Sequence, residues 1–178
     1  LPSFHAHLDA LGVRPTYLVD YAVADCPAAA STIRTIAAQQ NCEIGAHLHP
    51  WCNPPYFGAA TDESSHVVNL PKEQVSQKLD VLMRRIEEQF SVKAKSFRTG
   101  RWGIDSNVLK LLTNVGITVD SSVYPFYSND YFSCLVAPSL PYWPDLNDPL
   151  VSSQQRDIFE LPVTVGFNRP NFSRWNDI

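Results

Sequence analysis

Glu43-Ile44-Gly45-Ala46-His47-Leu48-His49-Pro50-Trp51 is an apolar run closed by a proline that has no N–H to give a sheet ladder, so it reads as a buried strand from Cys42 to His49. Side chains alternate along a strand. His47 and His49 therefore share one face, while Ile44, Ala46 and Leu48 turn to the other, toward covering helices; Gly45 leaves room beneath the histidine pair. Upstream, residues 4–11 read as a helix ended by Gly12, Thr16 to Asp20 as a buried strand, and Pro27 to about Gln40 as an alanine-rich helix. Downstream, a long polar connection over 50–70 leads to a helix opened by Pro71. Its residues Val75, Leu79, Leu82, Met83, Ile86 and Phe90 lie on one face of a 3.6-residue period. Lys95 to Arg98 reads as a strand, Asp105 as the cap of a helix closed by Gly116, Ile117 to Asp120 as a strand, and Ile158 to Val165 as the last one.

Strands separated by helices imply parallel β-α-β units, either an open doubly wound sheet or a barrel. No glycine-rich fingerprint follows a strand, so dinucleotide binding has no support. Only about five strands are visible, fewer than the roughly eight of a small closed barrel. The expectation is a single domain over 1–178 with flanking strands missing from this stretch; the only methionine is Met83, so Leu1 is not an initiator.

The 178 residues are 44% hydrophobic and 18% charged, an ordinary globular composition. With 14 basic against 18 acidic residues the net charge is −4, which gives no electrostatic basis for nucleic acid or an anionic membrane as partner. No stretch approaches the roughly 20 apolar residues of a spanning helix, so membrane insertion is not expected. The sequence carries no signal of oligomeric state. The four cysteines form no CxxC pair; reduced, partly buried thiols are expected, with a Cys42–Cys52 link left open.

Polar groups close successive strands: Asp20, His47 with His49, Arg98 with Arg101, and Asp120. Two neutral imidazoles plus a carboxylate are a common catalytic zinc set, so His47 and His49 are the candidate metal ligands. The competing reading is that both satisfy backbone or carboxylate partners in a polar cleft. Asp20 ends an apolar strand and needs a metal, an arginine or backbone donors. Arg98 and Arg101 join Trp102 at a strand-to-helix turn, and Arg98 fits the role of fixing a catalytic aspartate. Asp120 is placed to bond a neighbouring arginine, and Glu160 is a weaker candidate. Trp51, Tyr56, Phe57, Trp102 and Arg101 are candidates for the rim of a sugar-sized cleft. His5 and His7, two apart on a helix, diverge by about 200° and are expected to be solvated; His66 is expected at the surface. Ser121 and Ser122 lie in no nucleophile elbow.

The succession Arg14-Pro15-Thr16-Tyr17-Leu18-Val19-Asp20-Tyr21, then Glu43 to Trp51, then Phe97-Arg98-Thr99-Gly100-Arg101-Trp102-Gly103, then Asp120-Ser121-Ser122-Val123 resembles the polysaccharide deacetylase superfamily (carbohydrate esterase family 4), with the nearest likeness to its WalW-type branch. The resemblance implies a distorted (β/α) barrel of about seven strands, incomplete here at both ends. It implies a hydrolase of carbon–nitrogen bonds that removes N-acetyl groups from a saccharide, with a divalent metal, zinc first. His47 matches the first histidine of the family's metal motif. The second comes four residues later in the family, where Trp51 stands, so His49 is the substitute. Arg98 matches the arginine that orients the catalytic aspartate, and Asp120 falls near the fourth motif; Asp20, Arg98 and Asp120 are the catalytic candidates. The first-motif aspartates and the last-motif histidine would fall outside the chain. Two other functions compete: a metal-independent amidase or allantoinase-like hydrolase of the same fold, and a saccharide-binding protein without turnover.

Overall fold

The computed structural model describes residues 1–166. Its elements run α1 (Pro2–Ala10), β1 (Thr16–Val19), α2 (Tyr21–Asp25), α3 (Pro27–Ala37), β2 (Glu43–Leu48), α4 (Lys72–Phe90), β3 (Ser96–Thr99), α5 (Ser106–Asn114), β4 (Val119–Asp120) and β5 (Phe159–Glu160). All neighbouring strands are parallel, in the order β1-β2-β3-β4-β5. The protein is thus an α/β fold on a parallel sheet. Among the described residues this sheet is an open arc of five strands, not a closed barrel.

Local chemistry sets the boundaries. The Asp20 carboxylate accepts the Val23 N–H at 2.8 Å and starts α2, a short helix that the sequence reading did not contain. Asp105 does the same for α5, accepting from Val108 N–H at 2.8 Å. α3 stops at Ala37 rather than Gln40, whose positive φ of 57° cannot continue a helix. The Cys42–Cys52 link does not form; all four cysteines are free thiols.

The register divides the sheet into two faces. One carries Val19, Ile44, Ala46, Leu48 and Phe97, all buried, against Val75, Leu79, Leu82 and Ile86 of α4 and the apolar face of α5. The other begins with a polar network at the N-terminal strand ends, where Glu43 accepts from Thr16 Oγ1 (3.0 Å) and Ser96 Oγ (2.6 Å). It finishes with His47 beside Arg98. The space above Gly45 is not open: a Cβ there would lie 2.7 Å from Leu18 Cδ2, so Leu18 fills it. His5 is not solvated. It is 1% exposed and bridges Tyr17 Oη and Asn41 Oδ1, each at 2.9 Å, docking α1 on the sheet edge.

The packing predicts unequal costs for two truncations. Leu79→Ala should lose about 2–5 kcal/mol of unfolding free energy and Asp105→Ala about 1 kcal/mol, measured by urea denaturation; equal losses would contradict the layer assignment.

Candidate functional site

His47 and His49 do project side by side. Their ring centroids are 4.3 Å apart, edge to face, and both side chains are half-buried at the C-terminal end of β2. His47 Nδ1 lies 2.9 Å from the carbonyl of Arg98. A carbonyl only accepts, so Nδ1 carries the proton and Nε2 keeps its lone pair. In His49 it is Nδ1 that is buried, without a hydrogen-bond partner among the described residues. It rests against Gly100, where a Cβ would stand 2.9 Å away, so Nε2 is the nitrogen this ring can offer. Burial pushes both imidazoles below the usual histidine range. The neighbouring His49 adds to the shift of His47, and the Asp20 charge opposes the shift in both rings without reversing it. The pair is therefore neutral at pH 7, the state in which imidazole acts as ligand or base.

Other candidates fall around the pair in distinct ways. Asp20 acts on both rings through its charge while its Oδ1 caps α2. Among the described residues Arg98 ion-pairs with no carboxylate. Its guanidinium donates to the Ser121 carbonyl (2.9 Å) and hydroxyl (2.7 Å) and lies 4.8 Å from the Trp102 ring. Trp51 packs edge to face on His49 at 4.3 Å, whereas Trp102 meets Arg98 and Tyr124. Arg101 is committed elsewhere, to Asp62 Oδ1 (2.7 Å) and Ser65 Oγ (2.8 Å), and Tyr131 donates to the other oxygen of Asp62 at 2.7 Å. His66, expected at the surface, is 2% exposed under Tyr131.

Asp120 is not brought to the histidines. It pairs in register with Phe97 and Glu160, and so lies on the face opposite Arg98. Fully buried, it accepts from Ser122 Oγ at 2.6 Å, while Glu160 accepts the Val123 N–H at 3.0 Å. Burial pushes both carboxyls up, and the neighbouring Asp120 charge pushes Glu160 further in the same direction. Lys78, which sequence reasoning missed, is buried and gives its ammonium to the carbonyls of Pro50 (2.9 Å), Asn53 (2.6 Å) and Pro55 (2.7 Å). Its spacing of three from Val75 put it on the apolar face of α4, a signal available in the sequence.

By donor type and tautomer, His47 and His49 fit a divalent metal. They contribute two nitrogens only: among the described residues no set of three His, Cys, Asp or Glu side chains is gathered to hold an ion. No helix among these residues is long and apolar enough to cross a membrane.

The Asp120–Glu160 pair generates a pH prediction. Unfolded carboxyls titrate near pH 4, the folded pair higher, so the folded state binds more protons above pH 4. The pair's contribution is complete below that pH and is lost as pH rises through the raised values. From pH 4 upward, the urea midpoint of Asp120→Asn should therefore fall less steeply with pH than that of wild type, every other titrating group being common to both. An equal slope would show that these carboxyls keep their ordinary range in the fold.

No protein-family model matches the chain, and no curated protein does. Among solved structures it is similar to a protein assigned as a polysaccharide deacetylase from Mycobacterium smegmatis, with 22% identity and a TM-score of 0.62 over 91% of this chain and 44% of that one. A protein assigned as a glycoside hydrolase/deacetylase from Parabacteroides distasonis gives 14% identity and a TM-score of 0.66 over 90% and 36%. The BpsB deacetylase domain from Bordetella bronchiseptica gives 15% and 0.53 over 70% and 59%. The chain thus spans about a third to three-fifths of the length of these proteins. At these identities the likeness establishes the fold, and the chain shares it with polysaccharide deacetylases.

Proposed function

We propose that the chain is a deacetylase-like hydrolase that removes N-acetyl groups from a saccharide with a divalent metal, zinc first, and that it belongs near the WalW-type branch. The observation that carries this reading is the neutral His47–His49 pair at the C-terminal end of a parallel strand, each ring with Nε2 to offer. His47 and His49 would hold the metal, with remaining positions filled from outside the described set. Bound there, it would polarise the acetyl carbonyl and lower the pKa of a water.

The chain's own residues supply the surroundings. The Arg98 carbonyl fixes the His47 tautomer. Asp20, with one oxygen spent on the α2 cap, has its second oxygen for a proton. Arg98, locked by Ser121, is a positioning residue that supports Trp102. Trp51 and Trp102 present flat apolar rings to the faces of a sugar. The exposure of Trp51 and Tyr56 equally favours a second reading, saccharide binding without turnover.

Acetate release from N-acetylglucosamine oligomers and elemental analysis of the full chain test the proposal. His47→Ala and His49→Ala should each lower both zinc content and turnover at least tenfold, with thermal midpoints close to wild type. Turnover that survives chelation with no bound metal would sink the metal-dependent reading; oligomer affinity without acetate release would favour the second.

A further inference from the structure

His47 and His49 are held in different ways. The His47 ring is tied through Nδ1 to the Arg98 carbonyl, whereas the buried Nδ1 of His49 has no hydrogen-bond partner among the described residues. The place of the His49 ring is therefore set by its backbone and by the groups it rests against. Two carbonyl anchors bracket that backbone. On one side the Gly100 N–H donates to the Leu48 carbonyl at 2.8 Å; on the other the Lys78 ammonium donates to the Pro50 carbonyl at 2.9 Å.

The second anchor is chemically matched to its segment. Residues 50–55 run Pro50-Trp51-Cys52-Asn53-Pro54-Pro55, and the three prolines have carbonyls to offer but no N–H. A backbone so short of donors cannot fasten itself in a ladder or a helix. Lysine has three donors and no acceptor, and the Lys78 ammonium gives the other two to Asn53 (2.6 Å) and Pro55 (2.7 Å). The tie is reciprocal: the fully buried Asn53 amide donates to the Lys78 backbone carbonyl at 3.0 Å. The anchored carbonyls of Pro50 and Asn53 also flank Trp51, the ring that packs on His49 at 4.3 Å. Lys78 is 3% exposed, and among the described residues its ammonium meets no carboxylate. It shares the buried stripe of α4 with Val75, Leu79 and Leu82, where an apolar side chain would avoid the desolvation of a charge. The ammonium kept there serves the connection rather than the packing.

We propose that Lys78 is the positioning residue of His49: through the Pro50 carbonyl it holds the ring beside His47 before any ligand arrives, so that both Nε2 atoms are presented together. The positioning itself needs no ligand; only its effect on zinc rests on the metal-dependent reading.

Carbon-13 relaxation of the two imidazole rings in the metal-free full chain tests this, with Lys78→Met and Lys78→Arg beside wild type and thermal melts to show that each variant folds. Methionine keeps the stem without the ammonium. Arginine keeps the charge, but its planar fork cannot place three donors on converging carbonyls. In wild type the two rings should be equally rigid. In each folded variant the His49 ring should gain motion while His47, held by Arg98, keeps its rigidity, and zinc affinity should fall about tenfold. Should one variant fail to fold, the other carries the test. A His49 ring looser than His47 in wild type overturns the proposal without any variant. So does a folded variant in which His49 is unchanged, or in which both rings loosen alike, as a merely structural role would give. Zinc titration of the same samples separates the two claims. Selective loosening of His49 with no zinc bound by wild type retains the positioning role and removes the metal; zinc bound by wild type with His49 unmoved in the variants does the reverse.

Discussion

The alignment of β2 with β3 governs the rest of the site. Because His47 stands in register with Arg98, its Nδ1 proton meets the Arg98 carbonyl, and the ring's free nitrogen is fixed before any ligand arrives. One step further along, the Gly100 N–H donates to the Leu48 carbonyl at 2.8 Å, and His49 lies directly over Gly100. Any side chain at residue 100 would collide with that ring and with the Leu48 backbone. The same parallel pairing thus sets one imidazole's tautomer and leaves the other its only space, while the opposite faces of both strands bury Ile44, Ala46, Leu48 and Phe97 in the core. A one-residue slip would exchange these faces and destroy core and site together.

Charged side chains around the pair act mainly as fasteners for the chain. Lys78 holds the 50–55 backbone, Arg101 joins Asp62 and Ser65 in the long connection, and Arg98 holds the first residues after β4. The long connection therefore has a defined shape although its regular elements are only two three-residue 3-10 turns, Glu63–Ser65 and Val67–Asn69. Burial lowers the pKa of Lys78, yet three short carbonyl contacts satisfy its protons, the usual condition for keeping a buried ammonium.

Much of this was legible in the sequence. The 3.6-residue stripe of α4, the alternating faces of β2, the Asp105 cap and the parallel order all appear in the structure, because each depends on local periodicity or a local hydrogen bond. The readings that needed tertiary partners fared differently. His5 and His66 look like surface histidines until Tyr17, Asn41 and Tyr131 arrive from distant segments. Asp120 was grouped with the other polar strand ends, but it is in register with Phe97, and strand parity sends it to the opposite face. Arg101 was read as free for substrate because its partner, Asp62, lies 39 residues away.

The chemistry of the site depends on two neutral imidazoles acting as one unit. Long-range nitrogen–proton NMR of the full chain, with zinc added stepwise, observes this directly. The predicted result is a His47 ring protonated at Nδ1 and Nε2 resonances of both histidines that shift together and stop moving at one equivalent of zinc. Nε2 protonation of His47, or shifts in one ring without the other, would contradict it.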